Sequence, residues 1–163
     1  MRACSHDEVV HGKASMVIKM GGDYGTKYAS LRALYGYQCA HPGKKLNFRG
    51  GEFGQFIEWN YKQPLDWSLL EFPMHDSMRR YFRDLGRIYE STPALWRIDD
   101  SWDGFKWLNV DDNEHSSVAF MRRSRGSYIV CALNFTPVRY DNFTIGLPKP
   151  GVLREMINSD DTK

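Results

Sequence analysis

Hydrophobic residues in the first half of the chain recur with the spacing of amphipathic helices. In residues 28–36, and more regularly in residues 78–89, apolar side chains return every three or four positions, which is typical of one buried helical face. A His-Pro-Gly sequence at 41–43 and the proline at position 93 should end these helices, since proline and glycine do not continue a helix well. Residues 44–48, between the two helices, predict one short buried strand.

The second half of the chain changes to short extended segments separated by turn-forming residues. Such segments predict the antiparallel strands of a small β-sandwich. They lie at residues 105–110, 117–121, 127–134, 142–147 and 152–157. Basic residues outnumber acidic ones before this change, and acidic residues slightly outnumber basic ones after it. We therefore predict two domains, residues 1–96 and residues 97–163, which pack together through Trp96, Trp102 and Trp107.

The predicted strand at residues 44–48 has no evident neighbour within the first domain. A buried parallel strand needs strands beside it to satisfy its backbone hydrogen-bonding groups. We therefore expect that the chain is a fragment of a larger α/β protein, and that the β-sandwich is truncated.

Composition excludes several classes of protein. The 163 residues are 42% hydrophobic and 26% charged, with a net charge of +2, which is ordinary for a globular protein and gives no electrostatic case for nucleic acid or an anionic membrane. No apolar run approaches the roughly 20 residues of a membrane span, and the first residues do not resemble a secretory signal. Three cysteines without a CxxC pair favour a reduced, cytoplasmic protein.

Aromatic residues make up 14% of the chain, and two uses of them remain open. Most such rings fill hydrophobic cores. Rings beside carboxylates and amides also suit a sugar-binding groove, because a flat ring covers the apolar face of a pyranose while polar neighbours bind its hydroxyl groups.

The densest group of ionisable residues is SHDEVVHGK at residues 5–13. A metal site is disfavoured, because the two histidines are five residues apart and match neither HExxH nor HxxEH. A Ser-His-Asp triad is disfavoured because three adjacent residues cannot form its linear relay. A polar loop at the end of a strand is the remaining structural interpretation. No metal and no cofactor are expected.

This group begins a series of motifs that resembles the C-terminal part of bacterial 1,4-α-glucan (glycogen) branching enzymes, in the α-amylase superfamily of (β/α)8-barrel enzymes. The resemblance runs from Ser5 to about Asp161. It includes HPGKKLNFRGGEFGQFIEWN, LDWSLLE, PALWRIDDSWDGFKWLNVDDN and LNFTPV. It implies an α/β fold in which residues 1–96 form the end of strand seven, strand eight and their helices of a TIM barrel. Residues 97–163 would then be the all-β antiparallel C-terminal domain.

The resemblance also implies an activity. Branching enzymes are glycosyltransferases that cleave an α-1,4-glucan and transfer the piece to a 6-hydroxyl group, which forms the α-1,6 branches of glycogen. The expected partners are therefore an α-glucan (amylose or glycogen) and the barrel segments that precede this region. Two alternatives stay open, namely a hydrolase of the same superfamily and a non-catalytic glucan-binding module.

Site residues follow from the matching motifs. By resemblance, Asp7 is the aspartate that stabilises the transition state, and His6 is the neighbouring histidine that binds the sugar. The nucleophile aspartate and the acid/base glutamate of this superfamily lie on barrel strands four and five, which have no counterpart in this sequence. Retaining chemistry needs both groups, so we expect the chain alone to be inactive.

The loop after the predicted strand contributes three further candidates for substrate binding. Trp59 and Asn60 could line a glucan groove. Glu52 could either reach the same groove or hold Gly50 and Gly51 in place, and the second role is favoured.

Three positions depart from the family pattern. Gly25 stands where an aromatic residue is usual, and Asn47 and Arg49 replace an apolar pair in the predicted strand. An asparagine in a buried strand needs a hydrogen-bond partner, and the arginine must reach water or a carboxylate. These changes concern local packing rather than the family.

Overall fold

The structure is a computed structural model that describes residues 4–161, and over this range it contains three α-helices and one antiparallel sheet. The helices are α1 (Met16–Lys19), α2 (Tyr24–Ala40) and α3 (Pro73–Ser91). The strands are β1 (Phe105–Asp112), β2 (Ser117–Ser124) and β3 (Ser127–Asn134). Short 3-10 helices lie at His6–Glu8, Gly51–Phe53, Trp67–Glu71, Pro93–Leu95 and Trp102–Gly104.

The two long helices confirm the helical spacing in the sequence. The side chain of Asp23 caps α2, because its Oδ1 atom accepts a hydrogen bond of 2.8 Å from the Thr26 amide. Pro73 occupies the first turn of α3, where a proline costs no hydrogen bond. Both helices end just before the predicted breaking sequences. Their apolar faces meet in one cluster of buried side chains, which includes Tyr28, Leu31, Tyr35, Met78 and Leu85.

The strands pair in the order β1-β2-β3, and both pairs are antiparallel. The all-β antiparallel character predicted for this half is confirmed, and β3 has the predicted bounds. The predicted strands at 142–147 and 152–157 are wrong, because neither segment pairs with another strand. Val152 is fully exposed to solvent. Alternating residues alone do not make a strand where no neighbour supplies backbone partners.

The strand predicted at residues 44–48 is reduced to a single point of pairing. Asn47 forms one parallel bridge with Cys4, and the Cys4 amide donates a hydrogen bond of 3.2 Å to the Leu46 carbonyl. Parallel neighbours at this position agree with the expected strand direction. The assignment of residues 1–96 to a (β/α)8 barrel stays a prediction.

A second buried cluster joins the sheet to the helices. Phe105 and Phe120 pack there with Leu95 and with Ala40 at the end of α2, and Trp107 meets Phe105 edge-on with ring centroids 4.9 Å apart. The predicted packing role is wrong for Trp102, because 79% of this residue is exposed. Trp96 also lies at the surface, beside the guanidinium group of Arg97. Of the three predicted tryptophans, Trp107 is the one packed at this contact.

The fully buried side chain of Arg122 spans the contact between the sheet and α2. Its guanidinium group lies 2.8 Å from an oxygen of Asp99. It donates hydrogen bonds to the backbone carbonyls of Ala40 (2.9 Å), Gly104 (3.2 Å) and Ile98 (3.3 Å). Carbonyls in the last turn of a helix have no partner within that helix. Arg122 therefore satisfies the Ala40 carbonyl from the neighbouring strand.

The loop after Asn47 turns inward at Gly54, which has a backbone φ of +68°. The Tyr28 hydroxyl donates a hydrogen bond of 3.1 Å to the Gly54 carbonyl and lies 2.8 Å from Nδ1 of the buried His75. The same histidine nitrogen is 2.8 Å from the Phe53 carbonyl. This network fixes the start of the loop that carries three candidate site residues.

We expect Gly54→Ala to destabilise the fold by about 2 kcal/mol or more. A side chain in the left-handed region costs about 1–2 kcal/mol, and the added Cβ would lie 2.8 Å from the Tyr28 ring. Gly126→Ala is the matched control, because Gly126 has a φ of +87° but open space around it. Urea unfolding of both variants measures the difference. Equal losses would contradict the contribution of the Tyr28 contact.

Candidate functional site

His6 and Asp7 lie on the first 3-10 turn, and both face solvent. His6 Nε2 is 3.0 Å from Asp7 Oδ1, and the two side chains are 56% and 69% exposed. A short turn at this point projects neighbouring side chains outward instead of burying one of them, as an extended strand would. The imidazole and carboxylate are therefore both available to an approaching ligand.

Aromatic rings flank this pair on one side. The ring centroids of Phe48 and Trp59 lie 6.0 and 6.5 Å from that of His6. The two rings meet edge-on with centroids 5.2 Å apart, and the Arg49 guanidinium lies 5.7 Å from the Trp59 ring. The unusual Arg49 thus finds an aromatic partner at the surface. An apolar wall beside polar groups is the arrangement that suits a pyranose.

The turn is held from its C-terminal side by two lysines. Lys13 Nζ donates a hydrogen bond of 2.7 Å to the Asp7 carbonyl. Lys19 donates to the Glu8 carbonyl and lies 3.7 Å from the Glu8 carboxylate. These contacts hold Glu8 beside α1.

The remaining candidates for substrate binding are Glu52 and Asn60. Glu52 is half-buried, and among the described residues its Oε2 atom has no hydrogen-bond partner. Burial is the main cause that raises the pKa of the Tyr35 hydroxyl, with smaller contributions from Cys4 and Glu52. Asn60 is exposed, and its Oδ1 atom accepts a hydrogen bond of 3.0 Å from the Lys62 amide. The roles of both residues in substrate binding stay predictions.

The side-chain oxygen of Asn47 lacks, among the described residues, the hydrogen-bond partner that the sequence predicts for a buried asparagine. Its Oδ1 atom is buried without a hydrogen bond from any described residue. A Cβ on Gly51 would lie 2.8 Å from this atom and 2.5 Å from the Tyr35 hydroxyl. The glycine at position 51 is therefore required by close packing under the loop.

Within residues 4–161, no group of three or more histidine, cysteine, aspartate or glutamate side chains is arranged to hold a metal ion. None of the helices in the same range is both long and apolar enough to cross a membrane.

Comparison with known proteins places the chain beside enzymes that act on glucans. Residues 107–163 match the family described as alpha amylase, C-terminal all-beta domain. The chain is 51% identical to the 1,4-alpha-glucan branching enzyme GlgB of Halothermothrix orenii, over 96% of this chain and 25% of that protein. Identity to the enzyme of the same name from Aquifex aeolicus is also 51%, over 96% and 25%. For the Synechocystis enzyme it is 46%, over 98% and 21%.

The chain spans about a quarter of the length of these relatives. Within that quarter the similarity covers both the helical half with the exposed His6–Asp7 pair and the antiparallel sheet. The resemblance indicated by the sequence motifs is thus confirmed: nearly the whole chain is similar to about one quarter of bacterial 1,4-alpha-glucan branching enzymes, and residues 107–163 match the C-terminal all-beta domain of alpha amylases.

Proposed function

We propose that this chain is the C-terminal part of a 1,4-α-glucan branching enzyme and that it supplies one side of the active site. Residues 1–96 would complete the (β/α)8 barrel, and residues 97–163 would form the β domain packed against it. The observation that carries the proposal is the 51% identity over 96% of the chain. In the structure, the exposed Asp7 carboxylate lies beside His6, whose ring is flanked by Phe48 and Trp59. The expected substrate is an α-glucan such as amylose or glycogen.

The proposed role of Asp7 is electrostatic. Cleavage with retention passes through a transition state in which the sugar ring carries positive charge. A carboxylate about 4 Å from that charge stabilises it by about 4 kcal/mol at an effective dielectric constant of 20, which corresponds to roughly a thousandfold in rate. His6 would donate a hydrogen bond to a ring hydroxyl, and Trp59 would cover the apolar face of the sugar.

Transfer would then occur to a 6-hydroxyl group of a second glucan chain instead of water. The proposal places this reaction in glycogen synthesis in the cytoplasm, where the free thiols of Cys4, Cys39 and Cys131 would remain reduced.

A chimera tests the proposed function. This chain would replace the matching quarter of the Halothermothrix orenii enzyme, and the product would be incubated with linear amylose. We expect new α-1,6 linkages, measured as short chains released by a debranching enzyme. New reducing ends without α-1,6 linkages would indicate a hydrolase instead.

The second part of this test uses the 163-residue chain by itself. We expect no branching, because neither a nucleophile nor an acid/base glutamate has been assigned among its residues. Branching by this chain would contradict our assignment of the carboxylates. Retention on immobilised glycogen, combined with an inactive chimera, would favour a glucan-binding module.

A further inference from the structure

The side chain of Glu58 accepts three backbone hydrogen bonds from the loop that follows the His6–Asp7 turn. The Gly12 amide lies 3.1 and 3.0 Å from its two carboxylate oxygens, and the Ala14 amide lies 3.2 Å from one of them. These contacts join residues more than 40 positions apart in the sequence. Backbone amides that bind an ionised carboxylate make stronger hydrogen bonds than neutral pairs do.

The loop needs this support because its backbone is strained. His11 has a φ of +59° and Ala14 a φ of +62°, and Gly12 between them has a φ of +78°. A residue with a side chain has a higher conformational energy in the left-handed region than glycine does. Successive residues of this kind can point several amides at one anion, which forms a small anion-binding concavity. In this loop, the anion is the carboxylate of Glu58.

Trp59, the residue after Glu58, also links this region to the candidate site. The Trp59 amide donates a hydrogen bond of 2.9 Å to the Val9 carbonyl, and the Trp59 ring lies against His6. On the loop itself, Lys13 lies between the two amides that Glu58 binds, and its Nζ atom holds the Asp7 carbonyl. Glu58 and Trp59 therefore hold Val9, Gly12 and Ala14, in the segment that directly follows Asp7.

We propose that Glu58 is a positioning residue for the branching reaction, which acts by holding the residue 11–14 loop and, through it, the carboxylate of Asp7. This inference rests on the proposed function. Catalytic groups must be held within about 0.5 Å of their productive positions, and a misplacement of 1 Å can cost about a hundredfold in rate. The Asp7 carboxylate lies 3.0 Å from His6 Nε2, and Lys13 of the loop holds the Asp7 backbone through its hydrogen bond to the Asp7 carbonyl.

The first test uses the 163-residue chain and the substitution Glu58→Gln. The amide side chain keeps one acceptor oxygen but replaces the other with a donor, which cannot bind a backbone amide. We expect the Gly12 and Ala14 amides to exchange with water at least tenfold faster, as measured by NMR. The Thr26 amide, which binds Asp23, should not change. Glu90→Gln, at an exposed glutamate of α3, is the matched control, and unchanged exchange in Glu58→Gln would overturn the proposal.

The second test measures catalysis in the chimera, at a temperature where circular dichroism shows each variant to be fully folded. We expect Glu58→Gln to lower kcat by about tenfold to a hundredfold and to change KM by less than about threefold. In the Asp7→Asn background the same substitution should leave kcat almost unchanged, because the carboxylate that Glu58 positions is already lost. A purely structural role would give the same loss in both backgrounds and would overturn the proposal.

The outcomes separate this inference from the proposed function. An active chimera whose kcat is unaffected by Glu58→Gln overturns the positioning role alone. A chimera that is folded but does not branch amylose overturns the proposed function, and the positioning role with it.

Discussion

Asp7→Asn in the branching chimera is expected to lower kcat a thousandfold or more, with little change in KM for amylose. Asparagine keeps the shape of the side chain and removes its charge, so the ground-state contacts to sugar hydroxyls largely remain. The lost stabilisation of about 4 kcal/mol applies to a positive charge that develops only in the transition state. An interaction made only there lowers kcat rather than substrate affinity.

His6→Ala should cost less than Asp7→Asn, because it removes one hydrogen bond of about 0.5–1.5 kcal/mol rather than the opposing charge. Asp100→Asn is the matched control, since Asp100 is an exposed aspartate outside the His6–Asp7 turn. Initial rates on amylose, measured over a range of concentrations, give kcat and KM separately. Near-normal turnover by Asp7→Asn would contradict the role carried over from the family resemblance.

The helices could be predicted from the sequence because their signals are local. The spacing of apolar residues and the helix-breaking residues at 41–43 and 93 all act within a few residues of one another. The segments at 142–147 and 152–157 have the same kind of local pattern, yet they form no strand. A strand depends on a partner elsewhere, and the sequence pattern does not specify that partner.

Some residues of the candidate site could also be proposed from the sequence, whereas another is indicated only by the structure. His6 and Asp7 could be found because they lie in a specific motif, and Trp59 because an aromatic residue in a loop invites a binding role. Glu58, next to it, gave no signal of its own. Its function comes from amides at Gly12 and Ala14, and only folding brings those amides to its carboxylate.

Arg122 was missed for a related reason. The sequence FMRRS places two arginines side by side in a strand, and arginine is rarely buried. The structure exposes Arg123 and buries Arg122 completely, although the residues from Ala119 to Arg122 are all buried in succession. The choice between them depends on which face of β2 meets α2.

We expect Arg122→Met to destabilise the fold by about 3–5 kcal/mol, which is the usual cost of breaking a buried ion pair from one side. Methionine fills part of the volume but leaves four groups without their donor: the Asp99 carboxylate and the carbonyls of Ala40, Ile98 and Gly104. The surrounding chain cannot easily move to make room for water or new partners, because a Cβ on Gly104 would lie 1.9 Å from the Ile98 carbonyl oxygen.

Arg122→Lys should recover only part of the loss, since an ammonium group cannot donate in the four directions of a planar guanidinium. Arg123→Met, on the exposed face of the same strand, should cost less than about 1 kcal/mol. Urea unfolding followed by circular dichroism gives the free energies. Trp107 fluorescence, measured in a background in which the other four tryptophans are replaced by phenylalanine, reports on the contact between sheet and helix. A loss in Arg122→Met no larger than that in Arg123→Met would contradict the role of this arginine. In Arg122→Met we expect the contact at Ala40 to open before the helices unfold, because Arg122 donates the hydrogen bond that links the Ala40 carbonyl to β2.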